Sequence, residues 1–263
     1  MDVTYDFTGK VAMVTGSGSG IGRASALAFA RTGATVAVAD ISESNGRATV
    51  ELIAREGGRA EFVLADVSDP EKMAAVVEEV ADRWGRLDFA HNNAGVEGMH
   101  VPTGEISVED WRRVVGIDLD AVFYCMRAEL AVMTRQGSGA IVNTSSASGL
   151  IGGYNLGAYT AAKHGVIGLT RAAALDYGRR GIRVNAICPG ATDTPFLAEL
   201  PPAHMKRLLL ATPLDRLAQA DEMAQGVLWL CSEGASYVTG IALSVDGGVA
   251  VGGTGTRFDD LTP

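Results

Sequence analysis

Seven short apolar runs, each bounded by turn residues, alternate along this chain with stretches of helical periodicity, and that alternation restricts the fold more than any other feature. The runs occupy residues 11–15, 35–40, 60–64, 87–92, 140–145, 183–188 and 241–245, and the helical patterns cover 21–31, 43–56, 70–84, 108–135, 158–178 and 221–232. Near-continuous apolar strands separated by helices are parallel strands covered on both faces. The expectation is a doubly wound α/β sheet of about seven strands with right-handed crossovers. No linker, composition break or internal repeat divides the 263 residues, and 47% apolar content can fill a core, so one domain over 1–263 is expected. Two parts stand outside the alternation. Residues 191–212 carry Pro195, Pro201 and Pro202, with Pro213 just beyond, and read as a mobile flap over a site. Residues 249–263 form a C-terminal tail.

The net charge of −9 and the lack of a Lys/Arg cluster argue against nucleic acid as a partner. Cys125, Cys188 and Cys231 sit singly in apolar runs, as core thiols of a reducing compartment do. The polar, acidic start MDVTYDFTGK and the absence of eighteen consecutive apolar residues point to a cytoplasmic chain without signal peptide or membrane span. His91 reads as a strand histidine; His100, His164 and His204 show no ligand spacing, so no metal is expected.

The turn after the first run reads Thr15-Gly16-Ser17-Gly18-Ser19-Gly20-Ile21-Gly22, spaced TGxxxGxG rather than GxGxxG. Residues without Cβ let the backbone approach a pyrophosphate, and a helix N-terminus offers free N–H groups and a positive dipole end. A tight turn that needs glycine for its own geometry reads the same way. Asp40 ends the second run, where a carboxylate accepts hydrogen bonds from an adenosine ribose and repels a 2′-phosphate. Ser19 brings no compensating cation, so the cofactor expected is NAD rather than NADP. Alternatively Asp40 caps a helix, a task open to Ser42 as well. Asp66 and Val67 suit an adenine edge, or belong to a cap that Ser68 and Asp69 also offer. Asn92-Asn93-Ala94-Gly95 is a ligand contact or an Asx turn. Tyr159 and Lys163 lie one turn apart on one helix face, and Ser146 follows a strand thirteen residues earlier. An ammonium beside a phenol lowers a pKa of about 10 toward neutrality, which makes Tyr159 a candidate general acid or base, with Ser146 donating to the same substrate oxygen. A solvated face carrying an unrelated Tyr and Lys is the plainer alternative.

Taken in order, these pieces resemble a short-chain dehydrogenase/reductase over about residues 10–248. They are TGSGSGIG at Thr15, DV at Asp66, NNAG at Asn92, Ser146, YTAAK at Tyr159, PGATDT at Pro189 and VDGG at Val245. The resemblance implies a single Rossmann-like domain and hydride transfer between nicotinamide C4 and a secondary alcohol or ketone. It implies that Tyr159 exchanges the proton with the substrate oxygen, that Lys163 binds the nicotinamide ribose and depresses the tyrosine pKa, and that Ser146 orients the carbonyl. Asn93 would contact the adenosine-side ribose region through its backbone, Thr192 would offer its N–H to the carboxamide, and Thr194 its hydroxyl. One position departs from the family. The pattern WxxxxxxN becomes Trp111 followed by Asp118. The family's Asn is thought to hold a water between the lysine and bulk solvent; Asp118 either holds that water as a carboxylate or faces away and caps a helix break.

The resemblance also implies a homotetramer built on helices 108–135 and 158–178 and the last strand, for which Val122, Phe123, Met126, Val166 and Leu169 look like surplus apolar residues. An NADPH-dependent carbonyl reductase and a non-catalytic dinucleotide sensor are the rival readings; the intact Ser146, Tyr159 and Lys163 argue against the sensor. Candidate substrate walls are Ala147, Ser148, Leu150, Gly152, Gly153, Tyr154, Val96, Glu97, Met99, Phe196, Leu197 and Leu200. Mostly apolar, they suit a neutral alicyclic, steroid-like or aromatic alcohol, and Glu97 offers an acceptor for a second hydroxyl.

Overall fold

All five residues of Val11–Thr15 (β1) are buried, as a central parallel strand requires. In the computed structural model, which describes residues 4–198 and 202–251, six more strands join it. They are Thr35–Asp40 (β2), Arg59–Leu64 (β3), Phe89–Asn92 (β4), Gly139–Thr144 (β5), Ile182–Pro189 (β6) and Ala242–Val245 (β7). The order is β3-β2-β1-β4-β5-β6-β7, with every pair parallel. Edge strand β3 alternates, exposing Arg59 and Glu61, and charge there discourages pairing with another chain. The order reverses between β1 and β4, and the crevice outside their carboxyl ends is where such a sheet binds ligands.

The helices are Gly20–Arg31 (α1), Glu43–Arg55 (α2), Pro70–Trp84 (α3), Val108–Val115 (α4), Ala121–Gln136 (α5), Gly157–Tyr177 (α6), Pro195–Ala198 (α7), Pro202–Ala211 (α8) and Ala220–Cys231 (α9). One core joins α3, α5 and α6 to the sheet through residues such as Met73, Met126, Met133 and Ala173; the other joins α1, α2 and α9 through Phe29, Ile53, Met223 and Leu230. Phe29 and Met133 are fully buried, each worth about 1.5–3 kcal/mol of hydrophobic stabilisation. Ser42 caps α2 and Asp69 caps α3, so neither Asp40 nor Asp66 is needed as a cap.

Two expectations change. The helix over 108–135 is interrupted: α4 and α5 are joined by a π-helical turn at Gly116–Asp120, which carries Asp118. Regular structure lies within the stretch expected as a flap. Thr192–Asp193 pairs with Ala218–Gln219, and α7 and α8 follow. Val122, Met126 and Val166 are not surplus, since each is buried in this chain's own core, and Leu169 packs against it; Phe123 stays exposed. Leu200, the tail beyond residue 251 and the His204 side chain lie outside the described residues. All three cysteines are free and buried. No described helix is long and apolar enough to cross a membrane.

Candidate active site

A cavity of about 800 Å³ runs along the carboxyl ends of β1, β2, β4, β5 and β6. One end is the glycine turn. Gly16 adopts φ +63°, and a Cβ there would stand 2.9 Å from Ala94 Cα. Ser19, at the N-cap of α1, makes no side-chain cap to the first turn. Gly16, Ser19, Gly20 and Ile21 line the space, whereas Gly22 does not: it is packed beneath the turn against the Gly16 carbonyl. Asp40, Asp66, Val67 and Asn93 line the same end. Asp40 Oδ2 accepts from Gly18 N–H at 2.7 Å and Oδ1 from Ser42 N–H at 2.8 Å, which fixes the carboxylate beside the turn. Asn93 N–H is taken by Thr15 Oγ1 at 3.0 Å and its amide by the Thr15 carbonyl at 3.2 Å, so the carbonyl oxygen is its remaining backbone group. The Arg23 guanidinium is engaged beneath the turn by the Gly18 carbonyl and Thr49.

The other end holds Ser146, Tyr159 and Lys163. Helix α6 places Tyr159 and Lys163 on one face, with Lys163 Nζ 5.4 Å from the phenol ring centroid. The ammonium donates to the Thr144 carbonyl at 3.1 Å and pairs with Asp118 Oδ1 at 3.4 Å, both side chains being buried. Asp118 therefore faces the lysine and caps nothing. It lies on the π turn and is buried. Its Oδ1 also accepts from Val96 N–H at 3.0 Å, while buried Oδ2 has no protein partner. A Cβ at Gly95 would stand 2.5 Å from Oδ1, a physical reason for the glycine that ends NNAG.

The electrostatics correct one expectation. Burial raises the Tyr159 pKa in the protein alone. Lys163 and a Ser146 hydrogen bond pull it down, Asp118 and Glu97 push it up, and burial prevails. Burial would lower the Lys163 pKa, but Asp118 and Tyr159 reverse that and hold the ammonium charged. Asp118 itself is raised by burial, against the pull of Lys163.

Thr192 and Thr194 close the cavity from the flap, where the Thr194 hydroxyl donates to the Thr192 carbonyl at 3.2 Å and keeps its acceptor pairs. The Phe196 ring lies 6.3 Å from that of Tyr159. Ala147, Ser148, Gly152, Gly153, Tyr154, Val96, Glu97 and Leu197 line the cavity as expected; Leu150 and Met99 do not. Sequence reasoning missed His100, Ile117, Leu156 and Leu208, which line it too. Only the folded loops, the π turn and the flap bring them there, and no spacing signals it. His91 is buried, donates to or accepts from Thr144 Oγ1 at 2.8 Å, and has its pKa pushed down to about 3 by burial. No group of three His, Cys, Asp or Glu among the described residues is placed to hold a metal.

A family model described as enoyl-(acyl carrier protein) reductase matches residues 16–250. The cyclohexanol dehydrogenase of Acinetobacter sp. (strain SE19) is 47% identical over 241 residues, covering 92% of this chain and 95% of that protein. The chain belongs to the short-chain dehydrogenase/reductase family. As a short-chain dehydrogenase/reductase it is an oxidoreductase of CH–OH groups that works with a nicotinamide dinucleotide. Two solved structures bear on which one. NAD+-bound xylitol dehydrogenase matches with a TM-score of 0.88 at 31% identity, over 92% of this chain and 99% of that one. A putative NAD(P)-dependent gluconate 5-dehydrogenase from Beutenbergia cavernae, with bound NADP at low occupancy, matches with a TM-score of 0.90 at 39% identity, over 95% and 100%.

Proposed function

We propose that this chain interconverts neutral alicyclic alcohols and ketones with NAD(H), Tyr159 acting as general acid or base. The observation that carries the reading is one continuous cavity with Ser146, Tyr159 and the Lys163–Asp118 pair at one end and the glycine turn with Asp40 at the other. The residues fit the cofactor. The uncapped first turn of α1 suits a pyrophosphate, Asp40, Asp66, Val67 and Asn93 the adenosine, Lys163 the nicotinamide ribose, and Thr192 and Thr194 the carboxamide. When bound, the cofactor supplies the hydride acceptor or donor and, oxidised, a positively charged ring.

The remaining work belongs to this chain. Ser146 and Tyr159 hold the substrate oxygen between them. In oxidation the Tyr159 phenolate takes the hydroxyl proton, and in reduction the phenol returns it. Lys163 stabilises the phenolate electrostatically, and Asp118 keeps Lys163 charged and in place. Phe196, Leu156, Ile117 and Leu208 exclude water and favour an apolar ring, and similarity to a cyclohexanol dehydrogenase supports that substrate class. Asp40 supports NAD, because a 2′-phosphate would meet its carboxylate while Arg23 is engaged elsewhere.

Initial rates of cyclohexanol oxidation with each cofactor test the assignment. NAD should be favoured by more than ~10², the cost of bringing a phosphate against a carboxylate that has no cation beside it. Asp40→Ser should narrow that ratio by weakening NAD and relieving NADP together. Equal wild-type turnover with NADP would give the site to an NADPH-dependent carbonyl reductase instead.

A further inference from the structure

We infer that Glu97 and His100 form a subsite for a second substrate oxygen, so that the enzyme selects ring diols over mono-alcohols; this rests on the alcohol-oxidising reading above. Both residues line a cavity whose other walls near Tyr159 are largely apolar. His100 Nε2 lies 2.7 Å from Glu97 Oε1, with both side chains about one-third exposed. The Glu97 charge reaches the reacting centre, since it is one of the groups that raise the Tyr159 pKa.

The loop that carries the pair is held at three points. Val96 N–H donates to Asp118 Oδ1 at 3.0 Å, the Glu97 carbonyl accepts from Arg113 at 2.7 Å, and Met99 N–H donates to Asp110 Oδ2 at 2.8 Å. Arg113 and Asp110 are themselves paired at 2.7 Å on α4. The backbone on either side of Glu97 is thus fixed, and the imidazole holds one carboxylate oxygen. Such a preorganised acceptor loses little entropy on binding a ligand. A carboxylate has about four lone-pair sites and no proton of its own, so it takes a hydroxyl, not a carbonyl. It also repels an anionic ring substituent.

The test compares kcat/KM for cyclohexanol, the 1,2-, 1,3- and 1,4-cyclohexanediols and 4-hydroxycyclohexanecarboxylate in the wild type, Glu97→Gln, Glu97→Ala and His100→Ala. At least one diol should exceed cyclohexanol by about tenfold in the wild type, the smaller end of what a hydrogen bond to a charged, partly exposed group provides. That ratio should fall toward one in Glu97→Ala, and the hydroxyacid should gain relative to cyclohexanol in Glu97→Gln. Because Tyr159 serves every substrate, ratios cancel any change in its pKa. A ratio near one for every diol, or one that survives in both Glu97 variants, overturns the subsite. Failure to oxidise any of these alcohols, cyclohexanol included, instead removes the reading on which it rests.

Discussion

Asp118 grips the Lys163 ammonium from inside the fold, at a place where the family pattern has a neutral amide. Its charge raises the pKa of both Lys163 and Tyr159. Asp118→Asn should therefore lower both, moving the two limbs of the pH profile of alcohol oxidation toward acid. A kcat/KM profile that stays in place would show that the carboxylate only fills space. At this scale the local signals were legible: residues four apart on a helix must share a face, and so Tyr159 and Lys163 could be paired on paper. Burial was not legible. The phenol's cost of ionising depends on its burial in the folded chain, and that cost reverses the shift expected from Lys163 alone.

Helix α5 carries a group that no motif announced. Glu129 is fully buried, accepts from the Asn92 amide at 3.0 Å, and has its pKa pushed up to about 7 by burial. Asn92 also donates to Asn143, and Asn143 to Thr170, so the first Asn of NNAG serves the core. The folded state holds the Glu129 proton more tightly than the unfolded chain. Stability from this group is thus complete below the unfolded pKa near 4.5 and is lost as pH rises to about 7. Between pH 4 and 8 the loss should approach about 3 kcal/mol. Glu129→Gln should flatten that slope and be the more stable protein at pH 8, read from urea unfolding midpoints. Parallel slopes would contradict it. Strands and most helices were legible to within two residues because their periodicities are local. The π turn was not, since it continues a helical pattern that carries no local mark of the change.

Alternating βα units and right-handed crossovers made the doubly wound parallel sheet legible in the chain, whereas the strand order and the small strand pair beside the flap were not. Nor was assembly, because Val122, Met126 and Val166 are spent in the monomer's own core. The tetramer proposed from family resemblance would use the exposed Phe123 and Leu175 on α5 and α6, and light scattering at micromolar concentration should give four times the chain mass. A monomeric mass would remove it. The central claim is that Tyr159, carried on one cavity with the cofactor groove, moves the proton while a hydride is transferred. Its most direct test is NADH formation from cyclohexanol and NAD by the wild type and Tyr159→Phe, with NADH binding followed in parallel. The Phe variant should lose at least ~10²–10⁴ in kcat while binding NADH almost as before. A Phe variant that turns over at the wild-type rate would contradict the account.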